Sequence, residues 1–331
     1  MVTSRDVARL AGVSQATVSR VMSKPDQVAE VTRLKVNAAM QELGYVPHAG
    51  AQAMKTNRTN TIGVVVSDLL NPFYYELLDE LTRQLASAGQ RVLLWNAGHA
   101  YHDNATQALR ERAVDGVLFT SVTTGSVEFL EAFRGDFPIV LLNRVVEEFE
   151  GDIVISDNNA GGAMVADYLV ANGKTDVAVI TGTDAATTAR IRERSFRVRM
   201  EELGYPLPEH RRINAKFDHD LSQLKCERLL GQSRAPQAIF CCNDTMAFGA
   251  LDALESKQLT AEDCWVVGYD DVDMAAWPRL SLTTVRQPAR QMAQEGVAML
   301  MRRIENSAIP SQSKVFRPEL FVRASTENVP A

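Results

Sequence analysis

From residue 61 onward, apolar positions alternate between two patterns. Short β-branched runs that end in polar residues read as strands: Ile62–Val66, Val92–Trp95, Gly116–Thr120, Ile139–Leu142, Ile153–Ile155, Val177–Thr181, Ile239–Cys242 and Trp265–Gly268. Longer amphipathic stretches between many of them read as helices: Tyr74–Ala88, Asn159–Ala171, Ile191–Leu203, Met246–Ser256 and Ala289–Glu305. Strand alternating with helix predicts an α/β body of parallel sheets covered on both faces. So many strands exceed one ordinary core, so two lobes are predicted, with a seam near residue 160.

The first 60 residues contain no strand-like run. Thr3 and Asp6 form a capping-box-like start, and Val7, Ala8 and Ala11 give the following helix one apolar side. Gly12 breaks it and supplies the backbone freedom of a tight helix-helix turn. Ser14 can cap a second helix, Gln15 to Met22, in which Val18 and Val21 pack inward while Gln15, Ala16, Ser19 and Arg20 share the opposite face. A third helix is predicted from about Val31 to Leu43, closed by Gly44 and stopped by Pro47.

Charge sharpens this division. The 331 residues carry a formal charge of −6, yet residues 1–60 hold eight Lys/Arg against four acids, so a head of +4 sits on a body of −10. A basic head on an acidic body is expected where one small part must approach phosphates. There is no apolar export segment at the amino terminus and no run near the ~20 apolar residues of a membrane span, so the expected location is the cytoplasm, with no membrane partner. Cys226, Cys241, Cys242 and Cys264 lack C-x-x-C spacing and read as buried free thiols. His99 and His102 form a lone H-x-x-H, read as surface histidines, and no metal or cofactor is expected.

In a helix-turn-helix the second helix lies in the major groove, its first residues against base edges. Arg20 can fork onto guanine and Gln15 onto adenine, each good pair contributing about 1–3 kcal/mol of discrimination. Ala16 offers apolar contact, and Ser14, Thr17 and Ser19 complete the set. An exposed helical hairpin without a DNA partner would show the same short spacing.

Ligands of parallel α/β sheets sit beyond the carboxyl ends of the strands. Here those ends carry Ser67-Asp68, Asn96, Thr120-Ser121, Asn143-Arg144, Asp157, Thr181, Asn243-Asp244 and Asp270-Asp271, with Phe73, Tyr74 and Phe217 as flat apolar surfaces beside them. Carboxylates, amides and guanidinium around an aromatic platform suit a polyhydroxy molecule such as a sugar. Asp and Asn at strand ends also serve as ordinary helix caps.

The run Arg5-Asp-Val-Ala-Arg-Leu-Ala-Gly-Val-Ser-Gln-Ala-Thr-Val-Ser-Arg-Val, then Glu42-Leu-Gly-Tyr-Val-Pro, resembles the start of the lactose/galactose repressor family of bacterial regulators. The likeness continues through Ile62-Gly-Val-Val-Val, Val114-Asp-Gly-Val-Leu, Asp157-Asn, Cys242-Asn-Asp-Thr-Met-Ala-Phe-Gly-Ala, Val267-Gly-Tyr-Asp-Asp and Leu282-Thr-Thr-Val-Arg-Gln-Pro. It implies a helix-turn-helix domain over 1–46 and a hinge segment over 47–60. A two-lobed periplasmic-binding-protein-like core follows over 61–331, with lobe 1 about 61–160 plus 289–318 and lobe 2 about 161–288 plus the C-terminal strand.

The resemblance further implies a homodimer reading palindromic operator DNA, with an allosteric small-molecule effector. The hinge, His48 to Met54, would fold on DNA, and Met54 would wedge into the minor groove where relatives usually carry Leu. Two hinge positions depart from the family pattern: His48 replaces Asn, and Gln52 replaces a frequent Arg. The effector residues carried over are Phe73, Tyr74, Arg192, Phe217, Asn243 and Asp270. Ser195 stands where the family commonly has Gly. Ala186 stands where purine-responsive members place an additional Arg, a role open to Arg190 if the alignment shifts, so a sugar or sugar acid is the expected effector and a purine or nucleoside the alternative.

A sugar-binding protein would share the lobes but have no use for residues 1–54. An enzyme could use Asp270-Asp271-x-Asp273 for a metal or Asn158-Asn-Ala-Gly-Gly for a phosphate, but G-x-x-x-x-G-K, G-x-G-x-x-G and G-x-S-x-G are all missing. The chain stops at Ala331 without a terminal leucine heptad, which favours a dimer over a tetramer.

Overall fold

Chain contacts divide the molecule into two units, Met1–Thr59 and Asn60–Ala331. The computed structural model describes residues 2–46, 58–66, 70–96, 113–122, 137–146 and 149–327. Pro47, the hinge positions His48, Gln52 and Met54, together with Lys55, Ser67, Asp68, His99 and His102, lie outside the described residues.

Among the described residues, three α-helices build the first unit: α1 (Ser4–Ala11), α2 (Gln15–Ser23) and α3 (Glu30–Glu42). The Asp6 carboxylate accepts from both the Thr3 amide (3.0 Å) and the Thr3 hydroxyl (2.7 Å), which holds its pKa below the usual carboxylate value. Gly12 closes α1 at φ 65°, in the left-handed region that favours glycine. Ser14 then caps α2, its hydroxyl accepting from the Thr17 amide at 3.1 Å. Val7, Ala8, Val18, Val21, Val36 and Ala39 form the small core these helices share.

Two six-stranded sheets form the second unit. The first is built from β1 (Thr61–Val66), β2 (Arg91–Asn96), β3 (Gly116–Phe119), β4 (Ile139–Leu142), β5 (Asp152–Ser156) and β11 (Ser313–Phe316), in the order β11-β5-β4-β3-β1-β2 and parallel throughout. The second takes β6 (Val177–Thr181), β7 (Arg212–Asn214), β8 (Ala238–Cys241), β9 (Trp265–Asp270), β10 (Thr283–Arg286) and β12 (Glu319–Phe321), in the order β12-β10-β9-β8-β6-β7, with only β12 antiparallel. This is the two-lobed α/β body predicted from the alternation. β7, β10, β11 and β12 are short and were not among the strand runs.

Among the described residues, six α-helices accompany the sheets: α4 (Pro72–Ser87), α5 (Asn158–Ala171), α6 (Thr187–Glu202), α7 (His219–Leu230), α8 (Asp244–Ser256) and α9 (Ala289–Glu305). The strands show why both faces need cover. On β3, Leu118 points into one apolar cluster while Val117 and Phe119 point into another.

The chain passes between lobes three times: at Asp157 between β5 and α5, at Gln287-Pro288 between β10 and α9, and at Arg317-Pro318 between β11 and β12. All four cysteines are buried free thiols, and burial pushes Cys226, Cys242 and Cys264 up to about 12. No helix among the described residues is long and apolar enough to cross a membrane.

Candidate functional site

Helix α2 separates its two faces cleanly. Val18 and Val21 are buried, Ser14, Gln15, Ala16 and Arg20 are exposed, and Thr17 and Ser19 lie between. Gln15 is tethered, its amide nitrogen donating to the Ser4 hydroxyl at 2.8 Å, and Thr17 meets the Ser14 hydroxyl at 2.9 Å. A polar, small-residue face on a short packed helix is what a major groove can admit.

In the second unit, contacts across the lobes bring together the carboxyl ends of the two sheets. The Arg144 guanidinium, just past β4, lies 5.6 Å from the Tyr74 ring centre in lobe 1 and 5.5 Å from that of Phe217 in lobe 2. The Thr187 hydroxyl donates to the Val145 carbonyl at 3.1 Å. The Asp273 amide donates to the Glu76 carboxylate at 2.8 Å.

Arg192 is the most heavily bonded of the candidate residues. Its Nε donates to Asn158 Oδ1 at 2.7 Å, its Nη1 to the Cys242 carbonyl at 2.8 Å and to Asp270 Oδ1 at 3.1 Å, and its plane lies 3.7 Å from the Tyr269 ring centre. Gln287 Nε2 donates to the same Asp270 oxygen at 2.7 Å. Burial pushes the Asp270 carboxyl up, and Arg192 pulls it back towards the ionised form. Arg192 and Asp270, both carried over as effector residues, are thus a buried ion pair with one edge of each already used. Arg192 Nη2 and Asp270 Oδ2 make no side-chain hydrogen bond among the described residues.

Asn243 plays both roles open to it. Its Oδ1 caps α8 by accepting from the Met246 amide at 3.0 Å, while its Nδ2 is buried without a partner. Tyr74 is buried and meets Phe73 edge-on at 5.6 Å; Phe73 is itself buried at the start of α4, where Asn71 caps its amide. Phe217 is half-buried.

Five residues at these strand ends, Asn143, Lys216, Phe217, Asp270 and Asp271, have positive φ, out of eight such non-glycine residues among those described. Backbone strain of this kind persists only where surrounding structure enforces it, and it clusters at ligand clamps.

Several participants were not among the effector residues read from the sequence. Gln287 sits in a crossover, inside the Leu282-Thr-Thr-Val-Arg-Gln-Pro run, and Asn158, read there only as part of a possible phosphate approach, opens α5 and pairs with Arg192. Glu76, on α4, is raised to about 7, chiefly by burial and further by Asp273, Asp270 and Asp271, against the opposing Asp273 amide. Ser195 has a local explanation. A Cβ at Gly162 would stand 2.1 Å from its hydroxyl, so a bare glycine on α5 makes room for the side chain on α6.

The Asp270-Asp271-x-Asp273 run does not converge as a metal site would. Asp271 pairs with Arg286 (2.5 Å) and Arg323 (2.7 Å), while Asp270 faces Arg192. Ala186 caps the start of α6 and is buried, whereas Arg190 stands one turn further along. It lies two residues from Arg192, on another face of α6, and donates to the Asp184 carbonyl at 2.7 Å.

Residues 3–48 match the model of bacterial regulatory proteins of the lacI family, and residues 166–326 match that of a periplasmic binding protein-like domain. The chain is 33% identical to a curated HTH-type transcriptional repressor, PurR of Vibrio parahaemolyticus, over 99% of this chain and 100% of the relative. It is likewise 33% identical to the ribose operon repressor of Escherichia coli K12, over 98% and 100%. A solved structure of the lac repressor dimer bound to operator and the anti-inducer ONPF superposes with TM-score 0.87 at 26% identity, covering 98% of this chain and 99% of the other. Head, core and full-length likeness agree: this chain belongs to the lacI family of bacterial regulatory proteins, DNA-binding transcription regulators with an effector-binding core.

Proposed function

We propose that the chain is a cytoplasmic, homodimeric repressor that catalyses no reaction and whose grip on a palindromic operator is set by a sugar or sugar acid held between the lobes. The observation that carries the effector reading is a set of buried polar atoms without partners at the strand ends of both sheets: Ser121 Oγ, Asn143 Oδ1, Arg144 Nε, Asn243 Nδ2 and Gln287 Oε1. Each such atom costs about 1–3 kcal/mol when left unpaired, so the apo cleft is poised to repay a ligand that reaches it.

Donors and acceptors are mixed in this set, as hydroxyls require, and Tyr74 and Phe217 supply flat faces for C–H surfaces. Arg144 is 94% buried by its 6% exposure and pairs with no carboxylate among the described residues, which favours a ligand bearing an acid group. The purine reading draws on the PurR relative. Against it, position 186 is a buried alanine and Arg190 is directed elsewhere.

DNA contact falls to Ser14, Gln15, Ala16, Thr17, Ser19 and Arg20 in the major groove, with Met54 wedging the minor groove. Control follows from coupling: a ligand that binds one lobe spacing better shifts the dimer towards it, and operator affinity changes by that differential affinity. The test is a thermal-shift and operator-anisotropy panel of ribose, galactose, cellobiose, gluconate, hypoxanthine and guanine on wild type and Asp270→Ala. A sugar or sugar acid should raise the melting temperature and change operator affinity in wild type only. If only a purine acts, the sugar assignment is lost; if Asp270→Ala responds as wild type does, the cleft assignment is lost.

A further inference from the structure

The side of α6 facing away from Arg192 carries a second feature. At about 100° per residue, Arg190, Arg194 and Arg197 lie roughly 140–200° round the helix from Arg192. With Arg212 of β7 and with Val145 and Val146 of lobe 1, they line a cavity of about 620 Å³. That volume is within the range of small-molecule sites.

Among the described lining residues, four guanidiniums converge there with two carboxylates. Glu193 is buried and its Oε1 is shared by Arg197 (3.2 Å) and Arg212 (3.3 Å), while the Asp184 carboxylate serves Arg212 at 3.3 Å. Arg194 is exposed and has no ion pair among the described residues. The carboxylates fix Arg197 and Arg212 in place and leave the Arg194 guanidinium available to a ligand. The cavity also spans the lobe seam, since Thr187 on its wall donates to the Val145 carbonyl of lobe 1.

We propose that this cavity is an anion site, distinct from the effector cleft, that takes a small phosphorylated metabolite by its phosphoryl group. The several oxygens of a phosphoryl group suit converging guanidiniums better than a single carboxylate does. Because both lobes line the cavity, occupancy is linked to lobe spacing and hence to the same equilibrium the effector biases.

The test uses the full chain at constant ionic strength, with pyrophosphate and citrate as probes, read by calorimetry and by hydrogen exchange. Pyrophosphate should bind wild type and Asp270→Ala with the same Kd, protect residues 184–197, and bind Arg194→Glu at least about tenfold more weakly. Arg194 is exposed, so that variant should fold, and its unfolding curve checks this. Equal binding by Arg194→Glu, or no binding by either probe, overturns the site. Loss of pyrophosphate binding in Asp270→Ala merges it with the cleft and overturns its independence, whereas failure of that variant to alter effector response bears only on the cleft. Tighter binding of citrate than of pyrophosphate overturns the phosphoryl assignment.

Discussion

In the head, Ala16 and Arg20 project from a helix whose other face is packed, so water can reach them and the fold does not depend on them, and Gln15 beside them makes one exposed bond to Ser4. In the core, Arg192, Asp270, Asn243 and Gln287 are buried, bonded to one another in part and left unpartnered in part. The head therefore keeps recognition separate from stability, while the cleft combines them. A groove supplies its own geometry and needs only a face presented to it. A small ligand must be enclosed, and enclosure takes polar groups out of water before the ligand arrives.

The strongest way to break this comparison is Arg192→Ala. It would leave Asp270 buried without its cation and Cys242 and Asn158 without their donor, and should lower the unfolding free energy by about 3–5 kcal/mol in urea titrations. The effector response should vanish with it. A loss below about 1 kcal/mol would mean that the pair does not bear on the fold, and the contrast with the head would fail.

In the head the corresponding test is Arg20→Ala. Stability should stay within about 0.5 kcal/mol. Discrimination at one base position of each half-site should fall by about 1–3 kcal/mol in competition binding. Lys55→Ala should weaken all sequences alike and reduce the salt slope by about 1. Equal loss of sequence preference in both variants would contradict the division between base reading and phosphate contact.

How much of this was legible follows the same divide. Ser14, Gly12 and the Val18/Val21 spacing act within one turn of their neighbours, so the sequence places the head helices to within a residue or two. The strands that were legible carry continuous apolar runs, even at four residues, as β4 does. β7, β10 and β11 were not, and β12 only through the family resemblance, because Arg212-Ile-Asn, Thr283-Thr-Val-Arg, Ser313-Lys-Val-Phe and Glu319-Leu-Phe are too polar to form such a run and owe their pairing to distant partners. The cleft was legible as a list of strand-end polar residues. Which of them bond to each other depends on where three crossovers bring the lobes, and nothing local to Gln287 or Asn158 encodes that.

Glu76 probes the lobe seam with a smaller effect. Its folded pKa of about 7 lies above the ordinary 4.5, so the group favours the fold fully below the ordinary value and loses that contribution as pH rises through about 7. Glu76→Gln keeps an acceptor for the Asp273 amide and removes the charge. Discounted for solvent screening of this half-buried group, the variant should gain about 1 kcal/mol over wild type at pH 8 and nothing near pH 4. A constant difference across that range would remove the titration from the seam.

The finest test makes one substitution in both regions. Ser14→Ala removes a hydroxyl that accepts the Thr17 amide at 3.1 Å, and should cost the head about 1 kcal/mol, the usual value of an N-cap. Ser121→Ala removes a hydroxyl that is buried with no partner, and without effector it should raise core stability by a few tenths to about 1 kcal/mol while weakening effector binding. The opposite signs come from the same chemical change, because one hydroxyl completes the fold and the other, on the proposed reading, is kept for a ligand. If Ser121→Ala destabilises the apo protein, that hydroxyl is already satisfied when the cleft is empty, and the idea that the cleft holds unpaired groups for its effector loses its footing.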